Sequence, residues 1–336
     1  MKKFETDYLD DLPNKIQEMS EKISIILLNS LKRTSKKQLK LRRKDFSKFE
    51  SRLKKRWEKA FDLLEMLIAI SLETGGNFNN ELREKASSEN DIVFDVLTRL
   101  QARACQISSE ILVLLQTGYA DGAYARWRSL HEVVVALLIS SHGNDLAEKY
   151  LLHDTIESYK ASLIYQEHHK DLGIDPLTND DISELKKSYN ELINRFGKVY
   201  DKDYGWAYPI INRENITFRD IEKAVGLKHL RPYYKMACHN VHANSKGIFF
   251  KLGIYPDSED ILLAGPSNMG LVDPGHSTAL SLAQITISLL THSINLDRLV
   301  ISKILLNLQD EIGVAFLDAQ ALIIYDEEHN NGFVSD

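Results

Sequence analysis

Along most of the chain, hydrophobic side chains recur at spacings of three and four, and no alternating stretch exceeds four or five residues. The first pattern places apolar residues on one face of a helix, whereas alternation would place them on one face of a strand. The chain therefore reads as all-α, a multi-helix bundle. The stretch Ala120–Ser141, ADGAYARWRSLHEVVVALLISS, is the one the rest is expected to be arranged around. With Asp121 as its N-cap, Ala123, Trp127, Leu130, Val134, Leu137 and Leu138 give it one apolar face as a single buried helix.

The neighbouring patterns supply the other elements. A helix over Trp57–Glu73 is expected to end at the turn-forming run from Thr74 to Asn80. A second long helix spans Asn90–Thr117, and Gly118 to Gly122 fold it back on the central stretch as an antiparallel hairpin. Then follow Asp145–His169 and Asp180–Phe196, the latter capped by the polar run after Pro176. Gly197–Phe218 is aromatic and irregular, as site-lining loops often are. Short helices over Phe218–Val225 and Lys228–His242 precede a last major helix, His276–Leu308. Three segments result: a basic helical one (1–60), the bundle (61–310), and a C-terminal helix with a frayed tail (311–336).

Composition narrows the class. The chain has 336 residues, 43% of them hydrophobic, enough for a large core. Its longest apolar run, Val133–Ile139, is too short to cross a bilayer, so no membrane partner is expected. The N-terminus lacks the basic-then-apolar order of a secretion signal, which makes the cytoplasm the expected location. Cys105 and Cys238 have no CxxC neighbour and read as reduced core thiols.

Charge changes the picture near the N-terminus. Lys32–Lys59 holds fourteen Lys or Arg against Asp45, Glu50 and Glu58, a balance of +11, so the remainder carries −17 to reach the formal total of −6. Such asymmetry suits an anionic partner such as RNA, with Lys36, Lys37, Arg42 and Arg43 as contacts. The plainer alternative, which the spacing favours, is a solvated helix with docked aromatics, because Leu39, Phe46, Phe49, Leu53 and Trp57 need only one buried face.

Two stretches carry chemistry. Within the apolar surroundings of the central stretch stand Arg126, Arg128, His131 and Glu132. A desolvated charge without a partner costs several kcal/mol, so these are expected to be paired or used. Arg128 and Glu132, four apart, share a face and are expected to form a buried pair, worth on the order of 3 kcal/mol when one partner is removed. The other stretch is Leu230–His242, LRPYYKMACHNVH. On a helix, Leu230, Tyr233, Tyr234, Ala237 and Val241 fall to one side, and Arg231, Lys235, His239 and His242 to the other. The candidate site sets Arg128 and Glu132 opposite Tyr233, His239 and His242, with Arg231 and Lys235 holding an anionic substrate. If that substrate were RNA, an imidazole could take the proton of a 2′-hydroxyl while an arginine stabilised the charge building on phosphate. The plain alternative is a solvent-facing stripe beside an Arg–Glu pair that locks two helices together.

No cofactor is expected. The chain lacks GxxxxGKS/T and GxGxxG loops and the Glu-x-x-His pairs of di-iron bundles. His239-x-x-His242 could supply two metal ligands, but no third is marked by spacing.

The run GYADGAYARWRSLHE, followed by YGWAYP and YYKMACHNVH, resembles the domain-of-unknown-function 5677 family of bacterial all-α proteins over residues 90–300 or so. That family more distantly resembles the HEPN superfamily of helical bundles, many of them metal-independent ribonucleases with Arg-x(4 to 6)-His. Arg126 and His131 satisfy that motif literally. On a continuous helix they point about 140° apart, so they converge only at a helix break or if a second subunit supplies the partner, which implies a homodimer. The resemblance implies a HEPN-like, metal-independent endoribonuclease effector in bacterial stress or phage defence. A noncatalytic helical module for a protein partner or small ligand is the alternative the residues leave open.

Overall fold

A computed structural model describes residues 14–242, 244–255 and 262–330. The N-terminal residues read for a secretion signal and the last six residues of the expected tail lie outside the described residues. Among those described there is no strand, and no helix is long and apolar enough to cross a membrane. The chain divides into two units at Lys55/Arg56. The described residues of the first lie in one helix, α1 (Asn14–Arg56), on which Lys36, Lys37, Arg42 and Arg43 are all exposed.

In the second unit the first helix is α2 (Glu58–Glu89); its Phe61 and the preceding Trp57, both buried, contact Phe316. This helix does not stop at Thr74 but runs straight through Gly75 and Gly76. Packing overrides propensity here: Gln101 fills the space a Cβ at Gly75 would occupy, and its Nε2 donates to the Ser71 carbonyl at 2.7 Å. The helix ends instead at Asn90, left-handed with φ 52°.

Asp91 caps α3 (Ile92–Gln116) by accepting from the Phe94 N–H at 2.9 Å. Gly118, at φ 81°, closes α3 with paired bonds from the Gly118 N–H to the Leu115 carbonyl and from the Tyr119 N–H to the Leu114 carbonyl. The chain then folds back as α4 (Ala120–Glu132), giving the expected hairpin. Asp121 is not the N-cap: it lies inside the first turn, and its Oδ1 accepts from the Leu252 N–H at 3.1 Å.

The central stretch is also not one helix. After Glu132 the backbone bonds tighten to i→i−3, from Val133 to Leu130 and from Val134 to His131, before α5 (Val135–His142) begins. Three consecutive β-branched valines crowd the preceding turn, and a 3₁₀ step accommodates them.

Next come α6 (Asn144–Leu172) and α7 (Asn179–Phe196), the latter opened by a capping box between Thr178 and Asp181. The irregular aromatic segment folds as two 3₁₀ turns (Lys198–Asp201, Gly205–Ala207) and α8 (Tyr208–Ile211). Then α9 (Phe218–Ala224), the 3₁₀ turn Lys228–Leu230, α10 (Arg231–His239) and α11 (Ser245–Phe249) lead to α12 (Val272–Thr291) and α13 (Leu296–Asn330). The expected helix 276–308 is thus two helices, because the Asn295 side chain caps a new start by accepting from the Arg298 N–H at 2.9 Å. Residues 311–330 continue α13 rather than forming a separate segment.

The bundle core is α2, α3, α4, α12 and α13. Its most enclosed member is α12, which packs on all the others and buries thirteen of its twenty residues, many of them small: Gly275, Ser277, Ala279, Ser281 and Ala283. The central stretch lies against this helix rather than at the centre. The Trp127 indole N–H donates to the Ser277 carbonyl at 2.9 Å and lies 3.1 Å from the Ser281 hydroxyl.

Candidate functional site

Successive residues of α4 point 100° apart, so the helix deals its polar side chains to different neighbours. Arg126 turns to Glu110 on α3. Trp127 turns to α12. Arg128 and Glu132, one turn apart, face α10, and His131 faces α9.

The α4–α10 contact is a partly exposed cluster of opposite charges around one phenol. An Arg128 Nη is 2.9 Å from Glu132 Oε1, with the two side chains 25% and 33% exposed. The Tyr234 hydroxyl donates to the same carboxylate at 2.5 Å. Two guanidiniums, those of Arg128 and Arg231, lie 5.1 and 4.9 Å from the Tyr234 ring centre, within cation–π range. Arg128 Nε also donates to Cys238 Sγ at 3.3 Å. Burial, then the hydrogen bond to Glu132, holds the Tyr234 phenol above its usual range. Tyr204, which precedes the second 3₁₀ turn, is pushed up to about 12 by burial, then by Glu132 and Asp203, with Arg128 and Arg231 pulling the other way, so a second phenol lies within electrostatic reach of the cluster.

Behind it lies a buried network. Glu222 on α9 is fully buried; its Oε1 is 3.0 Å from His131 Nε2 and its Oε2 accepts from Arg231 at 2.8 Å. His131 stacks on Trp127 and meets Phe218 edge-on, while its Nδ1 is buried without a hydrogen-bond partner among the described residues.

These contacts distribute the sequence-derived candidates. Arg128, Glu132 and Arg231 share one cluster, and Lys235 stands exposed on the same helix. Tyr233 does not face Arg128: it is 42% exposed and within electrostatic reach of Tyr124, whose phenol burial, then Asp273 and Tyr233, holds above its usual range. His239 is half-buried at the end of α10, its Nδ1 3.3 Å from Asn244 Oδ1, and His242 is exposed beyond the helix. The side of α10 that meets α4 carries Tyr234 and Cys238 instead, four residues apart. Arg126 and His131 have separate partners, Glu110 and Glu222, and the helix break falls after both, so it does not bring them together. Cys105 is a core thiol, pushed up to about 12 by burial, whereas Cys238 is only half-buried. Among the described residues no group of three or more His, Cys, Asp or Glu side chains is placed to hold a metal ion.

Glu222, Tyr204, Tyr234 and Cys238 were not among the sequence-derived site residues. Glu222 had a signal: with Phe218, Ile221 and Val225 it occupies the i, i+3, i+4, i+7 stripe of α9, a carboxylate in an apolar row.

Residues 94–259 match the model of a family of unknown function, DUF5677, a span that contains every member of the cluster and of the buried network. No curated protein and no solved structure matches the chain.

Proposed function

We propose that this protein acts on nucleic acid, with RNA as the substrate class, and cleaves it by acid–base chemistry of its own side chains at the Arg128–Glu132–Tyr234 cluster. The observation that carries this reading is the sharing of Glu132 by Arg128 and Tyr234 in a partly exposed place. Glu132 would take the proton of a 2′-hydroxyl. The freed oxygen attacks the adjacent phosphorus, the P–O5′ bond breaks, and the leaving oxygen takes a proton from solvent, leaving a 2′,3′-cyclic phosphate. Arg128 stabilises charge on the phosphate oxygens, and Tyr234, whose phenol stays protonated, positions Glu132. The exposed cations of α1 serve as a sequence-independent phosphate contact. Action as a HEPN-like effector in bacterial stress or phage defence, in the cytoplasm, belongs to the same proposal and draws on the family resemblance.

The test is incubation of purified protein with a labelled oligoribonucleotide and its DNA counterpart in EDTA. Cleavage of RNA alone, with cyclic phosphate ends, is expected, and Glu132→Gln should slow it by roughly 100-fold or more. Unchanged cleavage by Glu132→Gln removes this site from consideration. No cleavage at all favours the second reading, a noncatalytic module for a protein partner or small ligand, which is supported by the fact that both contacts of Glu132 are internal to the fold.

A further inference from the structure

A cavity of about 490 Å³ is lined by Arg219, Glu222, Lys223, Lys228, His229 and Arg231, the last of which it shares with the cluster. Four of its six lining residues are cations from three consecutive short elements. Arg219 and Lys223 stand one turn apart on α9, Lys228 and His229 lie on the following 3₁₀ turn, and Arg231 opens α10. The tight reversal that gathers them uses Gly226 at φ 79°, where the Gly226 N–H donates to the Lys223 carbonyl and the Leu227 N–H to the Glu222 carbonyl.

The one carboxylate of the lining does not neutralise the opening. Glu222 is fully buried, and its two oxygens are engaged by His131 and Arg231. Arg219, Lys223 and Lys228 are exposed and form no salt bridge among the described residues, while nearby Asp220 is held by Arg213 and Thr217. Like charges brought together at a concave surface without a carboxylate partner among the described residues repel one another. That arrangement costs free energy unless an anion occupies it, and a concave site focuses the field on such an anion. A planar guanidinium beside point-charge ammonium groups is the donor set that phosphate oxygens take. The volume falls within the range of roughly 300–1,000 Å³ typical of small-molecule sites.

We propose that this cavity binds the terminal phosphate of a phosphomonoester, carried either by a free nucleotide or by the 5′ end of an RNA. The proposal goes beyond the cleavage reading and does not need it, because Arg219, Lys223 and Lys228 take no part in the acid–base cluster.

Two probe pairs test it by calorimetric or fluorescence titration of the full chain at fixed ionic strength: AMP against adenosine, and a 5′-phosphorylated oligoribonucleotide against the same strand with a 5′-hydroxyl. The phosphorylated member of at least one pair should bind at least tenfold more tightly, and the pair that shows the preference identifies the source of the phosphate. In Arg219→Gln/Lys223→Gln the preference should vanish, with melting temperature and affinity for the 5′-hydroxyl strand unchanged. Equal binding within both pairs, or a preference that survives the double substitution, overturns the proposal. Cleavage in EDTA is read from its products and is unaffected by this substitution, so failure of the pocket and failure of the ribonuclease reading are separable.

Discussion

His131 Nε2 lies 3.0 Å from Glu222 Oε1, and both side chains are closed to solvent. Arg231 completes the network from the partly exposed side, at 24% side-chain exposure. Removing one member strands the others where water cannot reach. Glu222→Ala should therefore lower unfolding free energy on the order of 3 kcal/mol, and His131→Ala by at least about 1 kcal/mol, measured by urea denaturation. His131→Ala should keep its RNA cleavage per folded molecule. A Glu222→Ala protein as stable as the parent would show that the network contributes nothing to the fold.

The Arg128–Glu132 pair behaves differently, although sequence spacing suggests a buried pair of similar worth. At 25% and 33% side-chain exposure, water screens the charges, and a survivor can be resolvated. Arg128→Ala should cost about 1 kcal/mol rather than 3, read from the same denaturation curves. A loss as large as that of Glu222→Ala would mean that the cluster is closed in solution.

How much of this was visible beforehand depends on the distance over which each feature is specified. The α3–α4 hairpin was legible because Asp91, Gly118 and the apolar period are local signals. So was the pairing of Arg128 with Glu132, a matter of helical spacing alone. Periodicity groups His239 and His242 on a polar side of Leu230–His242, and Tyr233 with Tyr234 on the apolar side, without saying which neighbour either side meets. Tyr234 and Cys238 meet α4, and that contact joins residues 102 or more positions apart. The uninterrupted course of α2 through Gly75 was likewise hidden, since Gln101, which requires the glycine, sits on another helix. The start of α13 has a local signal, Asn295 followed by Asp297, set inside an otherwise apolar run.

Acid should weaken the fold through His153. Its ring is buried, and Nε2 lies 2.9 Å from the Lys202 carbonyl and 3.1 Å from that of Tyr200, so this nitrogen carries the proton and donates. Burial first lowers its pKa below the ordinary 6.5; the Lys202 carbonyl and Glu157 oppose this, and Lys160 adds to it. A group with a depressed folded pKa takes up its proton first in the unfolded chain. Its share of stability is complete at pH values above 6.5 and is lost as pH falls below that value. Melting temperature should drop between about pH 8 and pH 5.5, and the drop should be smaller in His153→Gln, whose amide can still donate to the carbonyls. Equal drops in the two proteins would exclude His153 as the source.

Adjacent glycines in α2 should respond to alanine with opposite signs. Both are helical, and both forgo the roughly 1 kcal/mol by which alanine favours a helix over glycine. At Gly76 a Cβ would meet nothing within 4 Å, so Gly76→Ala should raise stability by about that amount. At Gly75 the same atom would lie 2.2 Å from Gln101 Oε1. The Gln101 side chain cannot swing away cheaply, because its Nε2 is bonded to the Ser71 carbonyl at 2.7 Å and lies 3.1 Å from Cys105 Sγ in the core. Gly75→Ala should therefore cost on the order of 2 kcal/mol through overpacking and a lost buried hydrogen bond. Combining it with Gln101→Ala should recover part of that loss, since the second change removes the obstacle. Thermal denaturation of the four proteins decides the matter: if Gly75→Ala stabilises as Gly76→Ala does, the contact between α2 and Gln101 is not what keeps residue 75 a glycine.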